Sequence, residues 1–299
     1  MMEKDILKKY RNYILLEKGL AENTRDAYMR DVSGFLSWLD DNDTKYIDVK
    51  LDDLHEYTKQ LFDLGISLRS IARIHSSLRS FFHFLLLDQY IDSDPSELLD
   101  SPKIGKHLPT VLSVDEIDKI EKAIDLSQPY GQRDRACIEM LYSCGLRVSE
   151  LCNLKMSDLY LDEHFIRVLG KGSKLRFVPI SDNAIEELRK WFYDRNLIEA
   201  KAGEEDYVFL SHQRRQHLSR ITVFHNLRDY AMKAGIKKTI SPHTLRHSFA
   251  THLLEGGANI VSIQAMLGHK LVTTTEVYTN IDRNYIRQQV IEHFPRNRK

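Results

Sequence analysis

A short stretch near the carboxyl end of the sequence collects side chains that can act on a phosphate. His243 and Arg246 lie three positions apart, His269 follows a Leu-Gly pair, and Tyr278 comes nine residues later. The Ser-Pro pair at 241–242 is typical of an N-cap followed by a first helical residue, which places His243 and Arg246 on one face of a helical first turn. We therefore expect both side chains to contact one anion, in phosphate chemistry without a metal.

Arg147 is a second candidate for anion binding. It follows a glycine break and stands directly before a helix, where its guanidinium fork matches two phosphate oxygens. An ion pair with Glu150 is an equally good interpretation. Both can hold, because the carboxylate could orient the guanidinium.

Lys171 lies between two glycines in the tip of a predicted hairpin, residues 170–174. The glycines allow the backbone to come close to a ligand, and the flexible lysine side chain could reach that ligand and donate a proton to it. A lysine in such a turn is more often only solvated. A nucleotide P-loop is excluded, because Gly172 stands where Ser or Thr is needed and no glycine occupies position 165.

The histidine spacing also raises the question of a metal. His243 and His247 have the i, i+4 spacing of zinc ligands, but no glutamate follows His243 and Arg246 would repel a dication. The sequence therefore predicts no metal. We expect His247 and His252 in supporting or core positions.

Tyr278 has two interpretations. By default it is an amphipathic tyrosine packed under the last helix. As a nucleophile it would need groups that neutralise two phosphate oxygens, protonate the leaving oxygen and handle the phenolic proton. The candidates for those roles are Arg147, Lys171, His243, Arg246 and His269.

The elements that must position these residues divide into two predicted domains. Apolar residues at helical spacing predict a helical bundle at 1–100, and prolines, a glycine and basic residues interrupt the pattern at 101–110, which we take as a linker. Ser113 then starts a capping box, so the second domain covers 111–299. The predicted helices are 3–18, 23–40, 51–64, 67–88, 113–125, 131–144, 148–155, 181–195, 219–234, 242–254, 259–267 and 283–293.

Strand-like runs in the second domain at 165–169 and 175–179 flank the glycine-rich hairpin, and 207–210 could add a third strand. The predicted fold is mainly α: a helical N-terminal domain and a mixed α+β domain with a small three-stranded antiparallel sheet.

Composition limits the class of protein. The 299 residues are 42% apolar and 29% charged, which favours a soluble protein with no membrane span. The apolar run at 13–16 is far shorter than the core of a signal peptide, so we expect a cytoplasmic protein. The net charge of zero counts mildly against nucleic-acid binding, although residues 107–299 carry +4 and residues 1–106 carry −4. The three cysteines have no zinc-ligand spacing and are interpreted as buried thiols.

Each motif alone is modest, but the set in this order is specific. It closely resembles the tyrosine site-specific recombinase (phage integrase) family. The helical first domain, the length and the tail at 292–296 resemble the Xer subgroup. The motifs that carry the resemblance are Gly145–Leu151, Gly170–Lys174, Pro242–His247, Leu267–His269 and Val277–Thr279.

The resemblance implies a strand-cleaving site that needs no cofactor, metal or ATP. Arg147 and Arg246 would hold the scissile phosphate, with His269 as a further donor and Glu150 in support. Lys171 would protonate the departing 5′ oxygen. His243 would assist proton transfer with Tyr278, the nucleophile of a 3′-phosphotyrosyl intermediate.

The resemblance also implies partners. The two domains would clamp double-stranded DNA at a recombination site, and four protomers would exchange strands through a Holliday junction. The tetramer would be formed by this chain alone or with a second, XerC-like recombinase, and the segment after Tyr278 would dock on a neighbouring subunit. A cell-division DNA translocase is a further candidate partner. Expected DNA contacts are Arg69, Arg73, Arg79, Arg220 and Arg228, although surface arginines are more often solvated.

Several functions agree with this chemistry. The first is Xer-type resolution of chromosome or plasmid dimers at cell division, and the alternative is the integrase of a mobile element. A relaxing activity of the type IB topoisomerase kind would share the phosphotyrosine chemistry. A helical DNA-binding regulator would leave Tyr278 with a structural role only.

Overall fold

The chain folds into two compact units, residues 1–107 and 108–299, each with its own apolar core. Among the residues that the computed structural model describes, none of the helices is long and apolar enough to cross a membrane. Those residues are 2–102, 110–170, 175–268 and 283–297.

The described residues of the first unit, 2–102, form a bundle of four helices. Ser67 caps the fourth helix as expected, because its Oγ accepts the backbone N–H of Ser70 at 3.2 Å. The aromatic stripe of that helix is buried, with Phe81 and Phe82 fully covered, so it belongs to the core. The helices are α1 Met2–Leu16, α2 Glu22–Asp41, α3 Leu51–Asp63 and α4 Leu68–Leu87.

The second unit places helices around a central, largely buried α6. Its first helix starts at the predicted capping box, in which the Glu116 carboxylate accepts the backbone N–H of Ser113 at 2.8 Å. The helices are α5 Val114–Lys122, α6 Gly131–Ser143, α7 Val148–Cys152, α8 Asp182–Arg195, α9 Arg220–Lys233, α10 Pro242–Glu255, α11 Ile260–Leu267 and α12 Arg283–His293.

The sheet of the second unit is antiparallel, with the order β1-β2-β3. The prediction of three strands is confirmed, and two of them, β2 Phe165–Leu169 and β3 Leu175–Pro179, match the predicted ranges. In the register of this pair, Val168 lies opposite Arg176. The outer strand is β1 Leu159–Tyr160.

The prediction that 207–210 forms the third strand is wrong. That segment makes only isolated bridges, in which Tyr207 pairs with Lys155 and Leu210 with His217. The backbone N–H of Val208 donates to the Leu154 carbonyl at 2.9 Å. Since β1 occupies the free edge of β2, the apolar run at 207–210 is buried beside loops instead.

The carboxyl-terminal segment packs on the second unit of its own chain. Phe294 is fully buried, with ring centroids 5.0 Å from Tyr142 and 5.4 Å from Phe249. Arg296 is buried among acidic groups and pairs with Glu121 and with Glu139. These contacts fix α12 at its carboxyl end.

Candidate active site

A single buried carboxylate, Glu150, lies at the centre of the described site. It occupies the first turn of α7, and only 3% of its side chain is exposed. Its Oε2 accepts the backbone N–H of Arg147 at 2.8 Å, and its Oε1 accepts Nη1 of the same residue at 2.7 Å. The ion pair considered from the sequence is therefore present.

Pairing with Glu150 does not bury Arg147. Its Nη2 donates to the Gly268 carbonyl at 3.3 Å, so the guanidinium is held from two sides. The side chain nevertheless remains 28% exposed. It is fixed in direction and still open to a ligand.

Arg246 joins the same cluster from α10. Its Nη1 donates to the Gly145 carbonyl at 2.6 Å and lies 3.9 Å from Glu150 Oε2, and its Nη2 donates to the Leu267 carbonyl. The two predicted phosphate-binding arginines are thus brought together around one carboxylate.

Local sequence explains the start of α10. The backbone N–H of Ser241 donates to Thr244 Oγ1 at 3.2 Å, and Pro242 is the first helical residue, as predicted. His243 is exposed in that turn, whereas Arg246 is buried in the next.

The two further histidines of α10 differ from each other. His252 is buried, and its Nδ1 lies 2.7 Å from Tyr142 Oη, in agreement with a core position. His247 is exposed, so it is not a core residue.

Two glycines shape the backbone that receives the arginines. Gly145 has φ +57°, and a Cβ there would lie 2.4 Å from Phe249 Cδ1. Gly268 ends α11 with φ +63°, and a Cβ there would lie 3.3 Å from Arg176 Cδ. Both positions therefore favour glycine for their conformation, and Gly145 also needs it for space.

Arg176 is a site residue that sequence reasoning missed. Its Nη1 and Nη2 donate to Glu150 Oε1 and Oε2 at 2.8 and 2.9 Å, and its Nε donates to the Met266 carbonyl at 2.8 Å. A signal was available, because an arginine inside a short predicted strand needs a partner if that strand is half-buried.

Three guanidiniums face one carboxylate, so the cluster carries a formal charge of +2. Burial raises the pKa of Glu150, but hydrogen bonds and charge from Arg176, followed by the bonds from Arg147, outweigh it and lower that pKa below its ordinary value. Burial, with the like charge of Arg147, lowers the pKa of Arg246 to about 10. Glu150 and Arg246 are therefore both charged at neutral pH, and an anion would relieve the excess positive charge of the cluster.

Three predicted residues lie outside the described part of the chain: Lys171, His269 and Tyr278. Lys171 belongs to the connection between β2 and β3 in sequence, and His269 directly follows Gly268. Their roles stay predictions.

The five arginines predicted to contact DNA differ in their surroundings. Arg73 is bonded to buried Asp31, and Arg79 donates to the Leu99 carbonyl. The other three are exposed: Arg69, Arg220 and Arg228.

The described residues contain no group of three or more His, Cys, Asp or Glu that could hold a metal ion. The three cysteines are free and buried, as interpreted from the sequence. Burial raises the pKa of Cys152 to about 11, which leaves its thiol protonated and unreactive at neutral pH.

Both units match models of known families. Residues 110–284 match the phage integrase family, and residues 7–89 match the N-terminal SAM-like domain of phage integrases.

Full-length relatives agree with these matches. Tyrosine recombinases XerD of Staphylococcus epidermidis and Staphylococcus aureus are each 40% identical over 292 residues, which cover 97% of this chain and 99% of theirs.

Solved structures show the same fold. XerA recombinase is 31% identical, with a TM-score of 0.51 over 98% of this chain and 99% of its own. A lambda integrase dimer bound to a core site is 23% identical, with a TM-score of 0.72 over 90% of this chain and 96% of its own. The resemblance found in the sequence motifs is confirmed, and this chain belongs to the phage integrase family, as a tyrosine recombinase of the Xer type.

Proposed function

We propose that this tyrosine recombinase cuts and rejoins DNA at a specific site through a 3′-phosphotyrosyl intermediate and a Holliday junction. The observation that supports this most directly is the placement of Arg147 and Arg246 around Glu150, in a cluster with an excess of positive charge. A phosphodiester carries one negative charge, and its non-bridging oxygens can accept hydrogen bonds from two guanidiniums.

The reaction conserves the number of ester bonds. Tyr278 Oη bonds to the phosphorus of the scissile phosphate, which keeps its bond to the 3′ oxygen, while the bond from phosphorus to the 5′ oxygen breaks. His243 assists removal of the phenolic proton, and Lys171 protonates the 5′ oxygen. Because one phosphodiester is exchanged for another, the balance requires no ATP.

The remaining residues stabilise the transition state. Arg147 and Arg246 neutralise the non-bridging oxygens, and His269 donates to one of them. Glu150 holds Arg147 in place. The first unit binds DNA together with the second, through contacts that include Arg69, Arg220 and Arg228.

We further propose Xer-type resolution of chromosome or plasmid dimers at cell division, in the cytoplasm. The 40% identity with staphylococcal XerD along nearly the whole chain supports this role. Four protomers, alone or with a XerC-like partner, would pair two sites. The described part of the segment after Tyr278 packs on its own chain in this structure, so its docking on a neighbour would require it to leave that position. A cell-division DNA translocase would regulate the tetramer.

Integration of a mobile element is the alternative role. A transposon integrase from Tn1549 shares the fold, with a TM-score of 0.69 and 23% identity. Mapping the covalent adducts in genomic DNA separates the two roles. Adducts at one chromosomal site favour dimer resolution, and adducts at element ends favour integration.

A suicide substrate tests the chemistry. A duplex nicked beside the cleavage position should trap the protein as a covalent 3′ adduct, and Tyr278→Phe should abolish the adduct while non-covalent binding survives. Tyr193→Phe is the matched control, since that exposed tyrosine of α8 has no assigned role.

Two outcomes would contradict the assignment. An undiminished adduct in Tyr278→Phe would exclude this tyrosine as the nucleophile. Absence of any adduct in the unaltered protein would favour a DNA-binding regulator. If cleavage occurs, a requirement for two sites distinguishes recombination from relaxation.

A further inference from the structure

We propose that Arg176 is a positioning residue for strand cleavage, which fixes both phosphate-binding arginines without touching DNA. This inference rests on the proposed function. It concerns a side chain on β3 that lies in neither of the two arginine motifs.

The first link runs through Glu150. Arg176 meets both carboxylate oxygens with a two-pronged pair of hydrogen bonds, 2.8 and 2.9 Å long. This geometry fixes the plane of the carboxylate, because two parallel bonds allow no rotation. The same two oxygens hold Arg147 by its backbone N–H and its Nη1. Arg176 thereby sets the direction of the exposed guanidinium.

The second link runs through the end of α11. Arg176 Nε donates to the Met266 carbonyl at 2.8 Å. The next two carbonyls along the chain, of Leu267 and Gly268, accept from Arg246 and Arg147. One side chain therefore holds the strand, the carboxylate and the helix terminus that together define the cluster.

Arg176 is poorly placed to bind phosphate itself. Its side chain is 12% exposed, against 28% for Arg147. Its Nε and both terminal nitrogens already donate within the protein. Its effect on the reaction must pass through its neighbours.

The sheet offers a matched control in Arg167. This arginine lies on β2 and donates its Nε to Asp158 at 2.7 Å, so it is also a strand arginine with a carboxylate partner. Its partner contacts none of the three clustered arginines within the described residues. Arg167→Ala removes a similar ion pair outside the site.

Cleavage and binding are measured separately on the suicide duplex. Arg176→Lys keeps the positive charge but loses the two-pronged hydrogen bonding to Glu150, and we expect single-turnover cleavage to slow about 10-fold. Arg176→Ala should slow cleavage about 100-fold. Affinity for the uncleaved duplex should change less than about 2-fold, and Arg167→Ala should leave both unchanged. Melting curves check that each variant folds, and the lysine variant serves if the alanine variant does not.

A change of substrate charge tests the route of the effect. A methylphosphonate at the scissile position replaces one non-bridging oxygen by methyl, which removes the negative charge that the guanidiniums neutralise. If Arg176 acts by positioning these guanidiniums, the Arg176 variants should lose less activity on the methylphosphonate than on the phosphodiester. The ratio of the cleavage rate of the unaltered protein to that of the variant should fall several-fold, and the same should hold for Arg147→Ala.

Three results would overturn the inference: an equal rate deficit on both substrates, a loss of DNA affinity that matches the loss of rate, or full activity of Arg176→Lys. Each of these results differs from the one expected if the proposed function itself is wrong. If the proposed function is wrong, the unaltered protein would form no adduct on the phosphodiester substrate.

Discussion

Replacing Glu150 by glutamine separates stability from DNA binding, because the same change should move them in different directions. The carboxylate is 97% buried and accepts four hydrogen bonds from two arginines, with a third guanidinium 3.9 Å away. An amide can accept with only one of its two terminal atoms. The variant therefore leaves three guanidiniums, of which only that of Arg147 is substantially exposed, around a neutral group.

The expected loss of stability follows from the broken buried ion pairs. Removing one partner of such a pair costs about 3–5 kcal/mol. For a unit of this size, each kcal/mol lowers the melting temperature by about 2–4 °C, so the second unit should melt about 6–20 °C lower. Non-covalent DNA binding should be retained or tightened, since the excess positive charge increases. Cleavage should slow, because Arg147 loses its support.

Thermal melting and the suicide-duplex assay together measure these effects. Glu199→Gln is the matched control: its side chain is 87% exposed, and its pair with Arg215 should contribute less than about 1 kcal/mol. A melting temperature for Glu150→Gln no lower than that of Glu199→Gln would refute the reasoning. So would a destabilised variant that cleaves at the full rate.

Three further predictions concern the pH dependence of the Glu150 cluster, the backbone at Gly145 and the anchor at Arg296. The arginine partners of Glu150 outweigh the effect of burial and hold its pKa below 4.5. The difference in unfolding free energy between the unaltered protein and Glu150→Gln should therefore be full above pH 4.5 and narrow as pH falls through the pKa of the folded state. Denaturant unfolding from pH 7 to pH 3 measures this difference, and a constant difference would contradict the assignment. Gly145→Ala combines a positive φ with a Cβ 2.4 Å from a buried ring, so it should cost about 2–4 kcal/mol of unfolding free energy. Gly203→Ala, at φ +87° with no atom within 4 Å, should cost only about 1–2 kcal/mol, and equal losses would argue against the steric part. Arg296→Met should cost about 3–5 kcal/mol, because it leaves Glu139 buried beside other carboxylates, and an unchanged melting temperature would show that this anchor is dispensable.

Local chemistry explains which features could be predicted from the sequence. Helix starts at Ser67, Ser113 and Ser241 each depend on contacts three residues apart, and each is present as expected. The β2–β3 pair was equally accessible, since two short runs rich in apolar residues flank a glycine-rich segment of the sequence. These signals depend on neighbours along the chain.

Tertiary contacts explain what could not be predicted. The pair between Arg176 and Glu150 spans 26 residues, and the bond from Arg147 to Gly268 spans 121. A local pattern can show that a strand arginine needs a partner, but it does not show which distant residue is that partner. The same applies to the sheet edge, which the two residues of β1 form in place of the more strand-like run at 207–210. Which segment pairs with β2 depends on packing in the folded protein.

The anchoring of α12 limits how far Tyr278, the proposed nucleophile, can lie from that helix. Phe294 and Arg296 fix the carboxyl end of this helix, and Tyr278 stands five residues before its first residue, Arg283. A fully extended chain of that length spans at most about 18 Å. While α12 keeps this packing, the Cα of Tyr278 must lie within that distance of Arg283, and its phenol reaches further only by the length of the side chain. Under the proposed function, delivery of Tyr278 to a more distant active site would require α12 to leave its own unit, so the packing of α12 would decide which protomer's site receives the tyrosine.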